Sequence, residues 1–330
     1  MRDEEGWSTL TIGKALQAAL RAEMYEDPTV VVFGENVGAA GGSFGVTKGL
    51  LEEFGPDRVR DTPISEAGFT GMAVGAAMTG LRPVVDIMFS DFATLAMSQL
   101  VEQAAYARYM SGGQASVPLV FRCPVGAGSS LGAQHSQSMH AWFAHVPGLK
   151  VAVPATPADA AGLLRTAIRD PDPVVFIEDK MQYSRSGSVR DDLPGVPFGE
   201  AAVHRTGTDV TVVAMLAMVH RAVEAAEILA ADGVDVEVVD PRTLTPLDRR
   251  GIAESAARTG RVVVVDQGYR SFGAGAELAS TIAELAFDYL ERPIVRIGGA
   301  DVPVPFSPRL ERRAVPTTEA VVAAVREVLA

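Results

Sequence analysis

One cysteine, Cys123, stands among 330 residues, so no disulfide can close within the chain and no cysteine-rich metal site can form. Basic charge is also scarce: 29 Lys and Arg against 41 Asp and Glu leave a formal net charge of −12. That balance gives no footprint for nucleic acid or an anionic membrane surface. Aromatics make up only 6% of the chain, and no apolar run reaches the length of a membrane span. The opening, MRDEEGWSTLTIG, carries acids where a secretory leader needs a basic and then an apolar stretch. A reducing cytoplasm is the expected compartment, and Cys123, at a strand end, is expected to be a reduced, buried thiol.

What remains is the composition of an ordinary globular α/β protein, 48% apolar and 21% charged, long enough for two cores. Residues 9–25 place Ile12, Leu16, Ala19 or Leu20, and Met24 on one helical face, with Thr11 or Ser8 as the cap. The runs VVVF, PVVDIMF, VPLVFR, LKVAVPA and VVFIED are apolar through their length and alternate with helical patterns. These include a long helix over FATLAMSQLVEQAAYARYM, capped by Ser90 or Asp91, and another at 157–169. Strands of that kind belong to a mostly parallel sheet with helices on both faces. Residues 179–200 are polar and glycine-bearing and read as a linker. A second α/β pattern follows, with strands at VTVVAML, VDVEVVD, RVVVVD and PIVRI and a closing helix over 317–329. The expected domains are 1–190 and 191–330.

The stretch 59–92, VRDTPISEAGFTGMAVGAAMTGLRPVVDIMFSDF, organises the first domain. Pro63 stiffens the approach to Glu66, and a helix rich in glycine and alanine follows, able to approach another element or a ligand closely. A carboxylate at a helix start is favourable without any function, so capping of a small-residue helix at a subunit interface is the plain reading of Glu66. The loop GENVGAAGGSFG follows a strand but matches neither the dinucleotide fingerprint nor the Walker loop. It is a close-approach loop in which Glu35 and Asn36 are the polar candidates. His135, in AQHSQS, lies in a glycine- and serine-rich segment; His140 and His145 follow at intervals of five, with no acidic or cysteine partner to complete a metal set.

TPISEAGFTGMAVGAAMTGLRPVV, RYMSGG, QHSQS with FAHVPGLKV, GLLRTAIRDPDPVVF, DVTVVAMLAMVHRAVEAAE, VDPRTLTPLD and DVPVPFSP together resemble the β subunit of the E1 component of 2-oxo acid dehydrogenase complexes. The resemblance runs from about Leu10 to Val328 in the family's order. It implies an N-terminal pyrimidine-binding domain for thiamine diphosphate and a smaller transketolase C-terminal-type domain. The implied assembly is an α2β2 heterotetramer, with the α subunit bringing the diphosphate and Mg²⁺ site. In keeping with this, the chain lacks a glycine-aspartate-glycine motif with a downstream asparagine. An E2 lipoyl acyltransferase is the implied partner and a small 2-oxo acid the substrate. Pyruvate is favoured, with branched-chain 2-oxo acids or acetoin as the alternatives.

By the same resemblance Glu66 matches the glutamate at the pyrimidine nitrogen N1′, and Ile64 and Phe92 flank the ring. His135 matches the histidine that lines the substrate channel and assists transfer to lipoamide. His140 falls where the motif tolerates variety, and His145 is structural. A K⁺ ion is implied at Leu119, Ala167, Ile168, Asp170 and Asp172. Two departures stand out: Asn36 replaces a common aspartate, and Asp266-Gln267-Gly268 replaces a glutamate-alanine-proline opening. Glu277, Glu284, Asp288 and Glu291 are expected on an outward helix face that could meet a basic E2 domain. A non-catalytic interaction subunit would require the loss of Glu66 or His135, and both are present. A single-chain transketolase-like enzyme would need the diphosphate-binding half that 330 residues omit.

Overall fold

The computed structural model describes residues 6–330, which fall into two compact units: residues through 125 with 142–198, and residues 126–141 with 199–330. In the first unit the strands are β1 (Trp7–Thr11), β2 (Val30–Gly34), β3 (Val59–Asp61), β4 (Arg82–Asp86), β5 (Val120–Val125), β6 (Lys150–Ala152), β7 (Val174–Asp179) and β8 (Ser186–Arg190). Its main sheet runs β6-β7-β5-β4-β2-β3, parallel throughout. Every residue of β2, β5 and β7 is buried, as strands covered on both faces must be.

Two helices show how the sequence builds one wall of this sheet. Helix α1 (Ile12–Glu26) begins where the Thr11 hydroxyl accepts the Lys14 N–H, and it buries Ile12, Leu16, Ala19, Leu20 and Met24. In helix α7 (Pro157–Arg169) the Thr156 hydroxyl accepts the Asp159 N–H, and proline occupies the first turn, where its missing N–H costs nothing. The two helices pack together. Arg165 meets Glu23 at 2.5 Å and Glu26 at 2.6 Å, tying their surfaces with charge above the apolar seam.

Helix α2 (Leu50–Phe54) is followed by α3 (Glu66–Met78), the small-residue helix. The long helix expected after Ser90 is a compound run: a 3-10 turn at Ser90–Phe92, α4 (Ala93–Ser98), a π stretch at Gln99–Ala105 and α5 (Tyr106–Met110). The wider π turns leave no mark in the apolar spacing of the sequence. At the end of the π stretch Gly148 packs so closely that a Cβ there would stand 2.3 Å from the Ala105 carbonyl oxygen. The expected linker is likewise partly structured. Strand β8 pairs antiparallel with β1 from Trp7↔Arg190 to Thr11↔Ser186, and a polar two-stranded ribbon of this kind shows none of the apolar runs that mark a buried strand.

Helix α6 (His140–Ala144) opens at the end of segment 126–141. In the second unit the strands are β9 (Ala202–Arg205), β10 (Val210–Ala214), β11 (Val236–Asp240), β12 (Thr243–Thr245), β13 (Val262–Tyr269) and β14 (Val295–Gly299). Five of them form a sheet in the order β14-β13-β10-β11-β9, parallel except for β9. Helices α8 (Ala217–Ala230), α9 (Arg249–Thr259), α10 (Ala274–Ala286), α11 (Pro308–Ala314) and α12 (Thr318–Leu329) complete it. Segment 126–141 falls within the expected first domain by sequence but clusters with this second unit. Its backbone explains why: the N–H groups of Gly128 and Ser130 donate to the Glu311 carboxylate of α11 at 2.7 and 3.0 Å.

Candidate active site

In the first unit, strand register sets the chemistry in a row. Gly34 at the end of β2 lies level with Asp61 on β3 and Asp86 on β4, and Asp86 lies level with Arg122 on β5. Connections from β2 and β4 leave in opposite directions along the sheet, to β3 and β5 respectively, so the carboxyl ends of these strands border a topological switch crevice. A Cβ on Gly34 would stand 2.5 Å from the Asp86 carbonyl oxygen, so only glycine allows the two backbones to come this close. The chain then turns through Asn36 at φ 58°, a left-handed conformation that asparagine tolerates better than most residues. The glycine loop is held by the Gly38 N–H on Asp61 at 2.8 Å and by the Thr47 hydroxyl on the Val37 carbonyl at 2.8 Å.

Three carboxylates collect at this edge. Glu35, Glu66 and Asp86 are 6%, 7% and 6% exposed, all buried beyond ordinary acidic residues. Glu66 is the first residue of α3, and the Ser65 hydroxyl makes no cap bond, so the carboxylate is the polar group this helix start supplies. Burial pushes the Glu35 carboxyl above the usual carboxylate range, and the nearby charges of Glu66 and Asp86 push it further. Its Oε1 has no hydrogen-bond partner. A buried acid of this kind keeps its proton readily and can lend it to a ligand.

The row ends on a cation to which the sequence reading gave no role. Arg122 is 1% exposed; its Nη1 meets Asp86 at 2.5 Å, and its Nε and Nη2 grip Glu178 at 2.7 and 2.8 Å. Tyr183 donates to the same Glu178 at 2.6 Å. Burial still dominates Asp86 and holds its carboxyl above the ordinary range in spite of Arg122. A signal was present in the sequence: one charge in each of the apolar runs PVVDIMF and VPLVFR and two acids closing VVFIED, of signs that can pair. Neighbouring Cys123 is buried, and burial followed by the charges of Asp91, Glu178 and Asp86 pushes its thiol up, away from reactivity.

The aromatic residues form a line toward Phe92. Phe44 stacks on Tyr183 at 4.9 Å and meets Phe89 edge-on at 5.9 Å, and Phe89 meets Phe92 edge-on at 5.7 Å. Lys180 sits over the Phe89 ring at 5.4 Å. Phe92 is half-buried and Ile64 is 84% exposed, so both keep apolar surface uncovered in this chain.

The groups expected to hold K⁺ are gathered at the end of α7, but their side chains are engaged. Lys150 meets both oxygens of Asp170 at 2.7 Å, and Arg108 meets Asp172 at 2.6 Å. Arg82 takes the carbonyl oxygens of Ile168 at 2.8 Å and Asp170 at 3.2 Å, while the Leu119 and Ala167 carbonyls accept backbone N–H groups of Val174 and Asp170. Of the acids expected on an outward helix face, only Glu277 and Glu284 lie on α10; Asp288 falls in the 3-10 turn Phe287–Tyr289 and Glu291 beyond it, because the α-helix ends at Ala286. Glu277 and Glu284 share Arg249, at 3.6 and 2.7 Å, and Glu291 pairs with Arg261.

In the second unit His135 is half-buried on segment 126–141; His145 belongs to the first unit and is exposed. His140, passed over in the sequence, is fully buried with its Nε2 2.9 Å from Asp266. Sequence alone left it without an acidic partner because that partner lies 126 positions away.

Residues 8–185 match the family model of the transketolase pyrimidine binding domain, and residues 199–321 that of the transketolase C-terminal domain. The fold is also that of a split-gene transketolase described as an inactive β4 tetramer, with a TM-score of 0.80 and 26% identity over 97% of this chain and 98% of that one. The class is therefore a transketolase-type chain with one pyrimidine domain and one C-terminal domain. At 48% identity over 321 residues it is similar to the mitochondrial pyruvate dehydrogenase E1 component subunit beta-2 of Oryza sativa subsp. japonica, covering 96% of this chain and 85% of that one. The corresponding subunit of Rickettsia felis is 47% identical, covering 97% and 98%. That of Rhizobium meliloti is 48% identical, covering 97% and 70%. The chain belongs to the family of E1 β subunits of the 2-oxo acid dehydrogenases.

Proposed function

We propose that this chain is the β half of a heterotetrameric E1 that oxidatively decarboxylates a 2-oxo acid, pyruvate first among them, and passes the acyl group to the lipoyl group of an E2 partner. The observation that carries the reading is the buried Glu66 carboxylate at the start of α3, with the unpartnered Glu35 oxygen at the same sheet edge. Thiamine diphosphate, when bound, supplies the carbanion that attacks the substrate and the electron sink that holds the charge after CO₂ leaves. Its aminopyrimidine fits the residues present: a buried acid for a ring nitrogen, and the apolar surfaces of Ile64 and Phe92 for the ring faces.

Glu66 holds or gives up a proton at its carboxylate oxygen toward that ring nitrogen. Glu35, with its raised affinity for a proton, keeps a second acidic proton close by and limits the negative charge that Glu66 must face. His135 serves the later transfer to the lipoyl group. The exposed residues Ile64, Met72 and Met78 on and before α3 give the α subunit an apolar surface to cover, and Mg²⁺ with the diphosphate belongs to that partner. A K⁺ ion would be held by backbone carbonyl oxygens near Leu119 and Ala167, since Lys150 and Arg108 already pair with Asp170 and Asp172. A reducing compartment such as the cytoplasm suits the buried Cys123 thiol, and among the described residues no helix is long and apolar enough to cross a membrane.

The test is reconstitution. The purified chain with thiamine diphosphate, Mg²⁺ and an artificial electron acceptor is expected to turn over no 2-oxo acid, and adding an E1 α subunit restores turnover. Comparing pyruvate, 3-methyl-2-oxobutanoate and acetoin in the restored enzyme assigns the substrate. Full turnover by this chain alone would refute the half-site reading.

A further inference from the structure

The segment that carries His135 is fastened within its own unit on both sides of that residue. Upstream, Glu311 accepts the Gly128 and Ser130 N–H groups, and Gly132 packs so tightly that a Cβ would stand 2.6 Å from the Phe306 ring. Downstream, three consecutive residues of β13 receive the segment. Asp266 Oδ1 lies 2.9 Å from His140 Nε2, and Gln267 Nε2 donates to the Ser138 hydroxyl at 3.2 Å. Gly268 leaves room for the imidazole: a Cβ there would stand 3.1 Å from His140 Cε1. These are the same three residues that depart from the family's usual opening of this stretch, and each one makes or permits a contact to the segment.

The protonation of the pair follows from its surroundings. Burial pushes the Asp266 carboxyl up, but His140 and the N–H groups of Gly268 and Gly275, at 2.8 and 3.2 Å, pull harder and leave it below the ordinary range. Asp266 is therefore an anion at neutral pH and can only accept, so His140 Nε2 carries the donated proton. His140 Nδ1 is buried and has no hydrogen-bond partner. The buried imidazole, bonded to Asp266 through Nε2, is held in one orientation, as an anchor requires.

We propose that His140, held by Asp266, is a positioning residue for His135: it fixes the downstream end of the segment so that the His135 imidazole is presented in one place for acyl transfer. The proposal rests on the reading of His135 as the group that serves transfer to the lipoyl group. Positioning matters at this level because a displacement of about 1 Å at a reacting group costs on the order of 10²-fold in rate.

The assembled α2β2 enzyme is compared with its His140→Ala, His140→Gln, His135→Ala and double His135→Ala/His140→Ala forms. Two quantities are read: amide hydrogen exchange over residues 126–141, and the ratio of lipoyl transfer to decarboxylation with an artificial acceptor. His140→Ala is expected to raise exchange around residue 135 about tenfold and to lower the ratio by about 10- to 100-fold. Glutamine, whose amide nitrogen can donate to Asp266 in place of Nε2, brings both back to within about threefold of the parent. The double form loses no more of the ratio than His135→Ala alone, since both act through one group. Unchanged exchange in His140→Ala, losses that multiply in the double form, or no recovery with glutamine would each overturn the proposal. Should His140→Ala not assemble, Asp266→Asn read by the same exchange measurement decides. A normal ratio in His135→Ala overturns the reading of His135 instead, and the exchange result still decides whether His140 anchors the segment.

Discussion

The carboxylates of the two units are treated in opposite ways. At the sheet edge of the first unit Glu35, Glu66 and Asp86 are buried near one another, and Arg122, the cation that meets Asp86, is shared with Glu178. Under the His135 segment of the second unit, Glu311 and Asp266 each meet several donors, from Gly128 and Ser130 and from His140, Gly268 and Gly275. Crowding and burial raise the proton affinity of Glu35 and Asp86, whereas fully bonded acids hold geometry. The first arrangement suits a site that moves protons and the second a site that must keep a side chain still.

The largest expected effect comes from removing the member of the crowded set proposed to face the cofactor ring. Glu66→Ala is expected to lower decarboxylation by about 10²- to 10⁴-fold while the heterotetramer still assembles. The check is the rate of thiazolium C–H exchange in bound cofactor by NMR, alongside sedimentation of the complex. An unchanged exchange rate would return Glu66 to the role of a helix cap and erase the functional side of the contrast.

Next in size is the shared cation. Arg122→Met leaves Asp86 and Glu178 buried without their partner, and breaking a buried charge network in this way costs about 3–5 kcal/mol. Urea unfolding of the full chain at neutral pH reads the loss. If stability falls by less than about 1 kcal/mol, the network is hydrated in solution and the buried charges are not the strained feature described above.

Glu35→Gln is expected to act in the opposite direction on stability. Because the folded-state carboxyl is a weaker acid than the unfolded one, the folded chain holds the proton more tightly, and stability is lost as pH rises above the ordinary carboxylate range. Glutamine removes that loss. The variant should therefore be about 1 kcal/mol more stable than the parent at neutral pH and no more stable at pH near 4, with lower activity throughout. A gap in urea midpoint that is independent of pH would contradict the assignment of a raised acid to Glu35.

Much of this contrast was legible in the sequence on one side only. Apolar strand runs and the α7 boundaries at Pro157 and Arg169 were visible because burial on both faces and helix capping are local signals. Glu66 stood out because Pro63 and a row of small residues frame it. Asp86 and Arg122 showed as charges inside apolar runs, but neither that pair nor His140–Asp266 could be read as a pair, since register and loop path bring their members together from 36 and 126 positions apart. Strands β1 and β8 were hidden for a different reason: a polar two-stranded ribbon needs neither apolar alternation nor a turn motif between its strands.

The smallest expected effect concerns charges that are paired but exposed. Glu277 and Glu284 on α10 share Arg249, which is 45% exposed, and such surface pairs contribute about 0–1 kcal/mol. Arg249→Ala should accordingly leave the urea midpoint almost unchanged while freeing two carboxylates on an outward face. If a basic domain of an E2 partner docks on that face, the freed charge strengthens association at about 50 mM salt and steepens its decline toward about 300 mM. Association of the α2β2 complex with purified E2, followed at both salt concentrations for parent and variant, reads this directly. Equal affinities and equal salt slopes would remove α10 from the docking surface, and the contrast would then lie wholly between the buried acids of the two units.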